Sequence, residues 1–261
     1  MAGTLTDTGV LITRPAHQAD KLVSLVEAAG GHAFLFPAIE IQPLASDALN
    51  QIVSDLEQFD IAIFISANAV TYGLEAIAAK HAEVPRGLKL AAVGAATAQM
   101  LTDLGYTPDI TPVEDFRSES LLAHPALQNV NGQRIVIFRG EGGRDLLGDT
   151  LAARGASVSY AECYRRAQPQ ADSSEIEQHW ANGEINVTVA TSVEGIQNLY
   201  RMLSTRGKEF MRTGAIVVVS ERMAQACLQL GLEGDIIVAK AASDSAIVVA
   251  IEAWRQQQKS L

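Results

Sequence analysis

Cysteine is almost absent from this chain: Cys163 and Cys227 are the only two, and they stand in unrelated contexts. Neither a disulfide framework nor a CxxC metal or redox motif can be built from them, so both read as small buried apolar residues. The five histidines, His17, His32, His81, His124 and His179, are too widely spread for HExxH or a similar ligand spacing, and no metal is expected. Cationic side chains are also in deficit. Twenty Lys+Arg against 30 Asp+Glu leave a formal charge of −10, which opposes any general attraction to a nucleic-acid backbone. No run approaches the roughly 18 uninterrupted apolar residues of a membrane span, and the opening MAGTLTDTG lacks the cationic and apolar parts of a secretory signal. The expectation is a cytoplasmic protein with no nucleic-acid and no membrane partner.

What the chain does have is apolar material: 48% of its 261 residues are hydrophobic and 19% charged, enough for one large core or two ordinary ones. Short β-branched or aliphatic runs alternate with helix-period stretches. Val10-Leu11-Ile12 precedes a helical segment at 16–29, and Ile61 to Ile65 precedes one at 67–79. Further strand candidates are Leu88 to Val93, Arg134 to Phe138, Ala156 to Tyr160, Asn186 to Ala190, Ala215 to Val219 and Asp235 to Ala239. All but Ala156 to Tyr160 and Asp235 to Ala239 lead quickly into a helical pattern. This rhythm predicts an α/β fold with parallel sheets covered by helices, and about ten strands are too many for one simple doubly wound sheet.

The chain also repeats itself. Ser66 and Ser192, Ala98-Gln99 and Ala224-Gln225, and Leu104-Gly105 and Leu230-Gly231 lie 126 positions apart; Arg14 and Arg139, Asp20 and Asp145, Leu22 and Leu147, and Gly30 and Gly155 lie 125 apart. Some coincidence is built into any βα unit, but one register held over separate segments indicates two halves of one design. A tandem duplication places the domain cut near 124–133, around His124-Pro125 and Asn131-Gly132. Extended-looking stretches at 36–41 and 159–165 allow another cut, in which one lobe is inserted into the other. The pattern alone leaves both open.

Ligands of open α/β sheets sit beyond the carboxyl ends of strands, where helix N-termini present free N–H groups and a positive dipole end. Six such places carry small, polar or cationic residues: Thr13-Arg14-Pro15, Ser66-Ala67-Asn68, Gly94-Ala95-Ala96-Thr97, Arg139-Gly140-Glu141-Gly142-Gly143-Arg144, Thr191-Ser192-Val193-Glu194 and Ser220-Glu221-Arg222. An ordinary helix N-cap accounts for each taken alone. All six together read as anion-receiving ends. Arg14 and Arg139 each end a strand and are candidates to grip a carboxylate, against the alternative of surface arginines. The run GEGGRD lacks both the third glycine of GxGxxG and a GK[ST] ending, so it signals nucleotide weakly. Tyr164, followed by Arg165-Arg166, is either a structural tyrosine or a weak general acid. Two readings from these features are a two-lobed sensor closing on an anionic metabolite and a nucleotide-dependent transferase.

Taken in order, LITRP (11–15), FISANAV (64–70), AVGAATA (92–98), FRSESLL (116–122), FRGEGGRDLLGDTLAARGA (138–156), ECYRR (162–166), TSVEG (191–195) and VVVSERMA (217–224) resemble the uroporphyrinogen-III synthases over nearly the whole chain. The resemblance implies two similar doubly wound, Rossmann/flavodoxin-like domains joined by a two-stranded β-ladder. It assigns 1–36 plus 167–261 to a discontinuous terminal domain, 41–158 to an inserted one, and 37–40 and 159–166 to the linker strands. It further implies a monomer that needs no cofactor and binds hydroxymethylbilane, a linear tetrapyrrole with eight carboxylates, between hinged lobes.

The family reaction closes this bilane into uroporphyrinogen III with ring D inverted. By the same resemblance Tyr164 is the tyrosine that assists departure of the hydroxyl. Thr13, Arg14, Ser66, Ala67, Asn68, Gly94, Thr97, Arg139, Gly140, Gly142, Gly143, Thr191, Ser192, Val193, Ser220 and Arg222 are the candidate substrate contacts. One departure stands out: Met223 occupies the position that Thr97 holds in the first copy, where family members carry GxxTA twice. Ser220 and Arg222 are the expected replacements.

Overall fold

A computed structural model describes residues 3–112, 118–143 and 145–259. Along the chain, β1 (Gly9–Ile12), α1 (Asp20–Ala28) and β2 (His32–Leu35) come first. There follow β3 (Glu40–Pro43), α2 (Asp47–Ser54), β4 (Ile61–Phe64), α3 (Ala67–Ala78), β5 (Lys89–Ala92) and α4 (Ala95–Asp103). Next are α5 (Ser118–Leu122), β6 (Arg134–Gly140), α6 (Leu146–Ala153) and β7 (Ser157–Ala167). The remainder is α7 (Ser174–Ala181), β8 (Val187–Val189), α8 (Val193–Met202), α9 (Thr205–Thr213), β9 (Ala215–Val218), α10 (Glu221–Gln229), β10 (Ile236–Val238) and α11 (Asp244–Gln258). No helix among the described residues is long and apolar enough to cross a membrane.

The chain divides into two compact units, a terminal one of residues 1–40 and 167–261 and an inserted one of residues 41–166. The terminal unit holds a sheet of order β10-β9-β8-β1-β2, every adjacent pair parallel. The inserted unit holds a sheet of order β3-β7-β6-β4-β5, in which β7-β6, β6-β4 and β4-β5 are parallel.

Both faces of each sheet are buried, which is why its strands read as unbroken apolar runs. In the inserted unit Ile61, Ile63, Ile135 and Ile137 point into one core, while Ala62, Phe64, Val136 and Phe138 point into the other. The terminal unit divides in the same way, with Val10, Ile12, Val187 and Val189 on one side and Leu11, Ile216 and Val218 on the other. Each large side chain so buried contributes about 1.5–3 kcal/mol relative to exposure.

The repeat seen in the sequence recurs as geometry. Gly30 and Gly155 follow α1 and α6 with φ of 86° and 88°, and Gly105 and Gly231 follow α4 and α10 with φ of 88° and 80°. A left-handed residue here satisfies the last helical carbonyls, and glycine reaches it without a Cβ penalty. The strand order is likewise shared: β9-β8-β1-β2 corresponds to β5-β4-β6-β7. Even β10 has a trace in the other unit, since Ile110, 126 positions before Ile236, makes an isolated parallel bridge to Ala91 beside β5.

Several elements depart from the sequence reading. The first extended stretch lies at 32–35, pairing with β1, rather than at 36–41; residues 36–39 carry no strand, and only at Glu40 does β3 begin. Residues 159–166 are the continuation of one eleven-residue strand, β7, whose pairing with β6 extends to Tyr164. Asp235 to Ala239 does lead into a helix, α11. The turn signals at His124 and Gly132 fall inside the inserted unit.

Candidate functional site

Four of the six strand ends feed directly into helices. Ser66, Ser192 and Ser220 are the N-caps of α3, α8 and α10, their backbones still extended. Their hydroxyls accept from the N–H groups of Ala69 (3.1 Å), Gly195 (3.0 Å) and Met223 (3.4 Å). α4 begins at Gly94 without a side-chain cap. Each cap satisfies one of the orphan donors at its helix end, and the dipole aims the rest of the first turn at the carboxyl edge of the sheet. Ser66, Ala67, Asn68, Gly94, Thr191, Ser192, Val193 and Ser220 are half-buried there, and Arg222 is exposed.

Other candidates are placed differently. Thr13 is only 3% exposed and donates its hydroxyl to the Val189 carbonyl at 2.9 Å, so its oxygen serves the end of the β1–β8 ladder. Thr97 is 4% exposed, inside the first turn of α4. Arg14 is ion-paired with Asp244 at the start of α11. Arg144 lies outside the described residues, as does the first part of the FRSESLL run.

The end of β6 differs most from expectation. Arg139 is 7% exposed, and its Nη1 reaches Asp145 Oδ1 at 2.8 Å while Nη2 and Nε reach Glu162 Oε1 at 3.2 and 3.3 Å. Its guanidinium lies 4.1 Å from the centre of the Tyr160 ring. Burial alone would lower the arginine pKa, but the two carboxylates outweigh it and raise the pKa above its ordinary value. Glu162 Oε1 also accepts from Gly142 N–H at 3.4 Å, and Gly143 packs beside the Arg139 side chain. The glycine run is therefore a turn held by the protein's own ion pairs. Asp145, Tyr160 and Glu162 were not singled out by sequence. The available signal was the alternation that places 160 and 162 on one face of β7.

That alternation breaks at the next step. Arg139 pairs with Glu162 and Gly140 with Tyr164, leaving Cys163 as the extra residue of a β-bulge. Without it Tyr164 would follow Tyr160 and Glu162. With it, Tyr164 joins Ala161 and Cys163 in the core that contains α3. Its hydroxyl meets Ser66 Oγ at 3.1 Å, so a phenol, a serine hydroxyl and the Ala69 N–H form a chain ending on a helix N-terminus. Cys163 is inert here: burial pushes its thiol up to about 12.

The family model described as uroporphyrinogen-III synthase HemD matches residues 20–248. The chain belongs to the uroporphyrinogen-III synthase family. It is 34% identical over 247 residues to the uroporphyrinogen-III synthase of Escherichia coli K12, covering 93% of this chain and 99% of that one. The enzyme of Salmonella typhimurium LT2 is 34% identical over 249 residues, with the same coverage. Among solved structures, uroporphyrinogen-III synthetase from Helicobacter pylori 26695 aligns over 95% of this chain and 99% of its own with a TM-score of 0.60 at 14% identity. A mutant synthase from the extremely thermophilic bacterium Thermus thermophilus aligns over 96% and 99% with a TM-score of 0.58 at 20% identity. At those identities the structures speak for the fold, two doubly wound α/β units. Within this fold the Tyr164 phenol lies against the Ser66 cap at the N-terminus of α3.

Proposed function

We propose that this chain converts hydroxymethylbilane to uroporphyrinogen III by a cyclising dehydration, as a cofactor-free monomer in the cytosol. The phenol of Tyr164 donates its proton to the departing hydroxyl, which leaves as water, and the bilane is left as an azafulvenium cation beside the phenolate. Ring D attacks through its substituted carbon to form a spiro intermediate. Fragmentation and reclosure invert that ring, and the proton released when the last pyrrole regains aromaticity restores the phenol. Tyr164 is 4% exposed, which limits access of bulk water to the proton being transferred.

The eight carboxylates are received by helix N-termini at strand ends rather than by Arg14 and Arg139, which already have carboxylate partners. Oriented N–H groups bind anions at short range although the protein is acidic overall. Much of the catalytic problem is positioning, since the azafulvenium cation is intrinsically reactive and the unassisted bilane closes without inversion.

The observation that carries this reading is the Tyr164 hydroxyl seated on the Ser66 cap of α3. Fresh hydroxymethylbilane incubated with the protein, with isomers then separated, tests it: type III product is expected, and type I alone overturns it.

A further inference from the structure

We infer that Arg139, Glu162 and Gly140 form a positioning device for Tyr164, keeping the β7 bulge in register and the phenol on Ser66. The inference rests on the proposed role of Tyr164 and goes beyond it, because the sequence reading made Arg139 and Gly140 contacts of the substrate.

Three observations converge. The register shift falls between Arg139 and Gly140, and each flank is tied down separately. Before the shift, the buried Arg139 guanidinium holds Glu162, its partner in the ladder, and Asp145 at the start of α6. After it, Glu141 N–H donates to the Tyr164 carbonyl at 2.9 Å, while Gly142 N–H turns back to Glu162. The extra residue is itself anchored, its thiol directed at the Arg139 carbonyl at 3.5 Å.

Gly140 supplies the floor of the same device. A Cβ there would stand 2.7 Å from Cε2 and Cζ of the Tyr164 ring and 3.1 Å from its hydroxyl oxygen. Carbon atoms do not approach so closely, so any larger residue displaces the ring. Glycine is required at this position by the aromatic ring above it. No anion need be invoked.

If Arg139 and Glu162 act only through Tyr164, their loss matters only while Tyr164 is present. The test is a double-mutant cycle on the full chain, with kcat and KM measured for Glu162→Gln, Gly140→Ala, Tyr164→Phe and the pairs containing Tyr164→Phe. Each of the first two is expected to lower kcat by about 10- to 100-fold, the scale of an ångström of misplacement, with KM little changed. Neither should lower kcat further in the Tyr164→Phe background, and Glu162→Asp should restore part of the loss. Should Gly140→Ala fail to fold, the Glu162 arm decides. Effects that multiply in the double variants, an unchanged kcat in Glu162→Gln, or a change confined to KM overturn the positioning role. Unchanged turnover in Tyr164→Phe instead overturns the role of the tyrosine itself, and this inference with it.

Discussion

The two units solve one packing problem in opposite ways at the carboxyl ends of their central strands. In the inserted unit Phe64 and Phe138 stack with ring centres 4.8 Å apart, and Gly73 of α3 leaves them room: a Cβ there would lie 2.8 Å from the Phe138 ring. The corresponding positions of the terminal unit are Ala190, Thr13 and Leu199. Small residues on the strands accept a large one from the helix, where the other unit does the reverse. The same comparison places Ile39 opposite Tyr164. A Cβ on Gly195, the counterpart of Ala69, would lie 3.0 Å from Ser192 Oγ and 3.7 Å from the Ile39 side chain. One serine-capped helix thus carries a phenol and the other a methyl group. A repeat can keep its backbone while an ionisable side chain stands against the helix cap in one copy only.

The strongest way to break this comparison is to exchange the cores. Phe138→Thr, which imports the residue of the terminal unit, should cost about 3–5 kcal/mol of stability, because a ring is lost and Phe64 and Gly73 do not fill the space. Adding Phe64→Ala and Gly73→Leu completes the alternative set and should recover part of that loss in urea denaturation. No recovery would mean that the two cores are not related by volume exchange.

Next in size is the phenol. Tyr164→Phe should lower turnover by about 10- to 100-fold, or roughly 1.4–2.7 kcal/mol of transition-state stabilisation, with an unshifted thermal midpoint. Isomer-resolved turnover and a melting curve of the same preparation check it.

The matched serines sharpen the contrast further. Ser66→Ala and Ser192→Ala each remove an N-cap and should each cost about 1 kcal/mol of stability. Only Ser66→Ala should lower kcat, because only that hydroxyl holds Tyr164. Equal loss of kcat in both variants would show that the Ser66–Tyr164 contact is not what distinguishes the two caps.

How far the sequence could be read follows from what each signal measures. Apolar runs such as Ile61–Phe64 report burial, and they located most strands of both sheets. The 125- and 126-residue offsets report shared turns, which reappear as the left-handed glycines 30, 155, 105 and 231. β2 escaped notice because HAFL is half exposed and carries no buried run. The short connection AKAAS after β10 hid the entry into α11, whose start is marked by the Ser243 cap and by Asp244 in the first turn.

At the site, alternation is a rule about regular strands: it would put Tyr160, Glu162 and Tyr164 on one face, and the register shift beside Gly140 removes Tyr164 from that face. Arginines at strand ends also read the same whether they await a ligand or already hold an acid. Only three dimensions distinguish those cases, as Asp145 and Glu162 do for Arg139 and Asp244 does for Arg14.

The smallest expected effect concerns a helix that has no partner in the other copy. α9 of the terminal unit corresponds to a stretch near 79–87 that carries no helix in the inserted one. Its start depends on Glu177 of α7, whose carboxylate accepts from the N–H and hydroxyl of Ser204 and from the hydroxyl of Ser173. Desolvation pushes the Glu177 pKa up, but those hydrogen bonds and the charge of Arg206 prevail and hold it below the ordinary glutamate value. A carboxylate depressed in the folded state contributes stability above its unfolded pKa and loses it as the pH falls through the folded one. Glu177→Gln should therefore cost up to about 1 kcal/mol at neutral pH, with a gap to the parent that closes as the solution is acidified below the ordinary glutamate range. Denaturation of both proteins across that range measures it. A gap that stays constant with pH would show that the ionisation of Glu177 is not what supports α9.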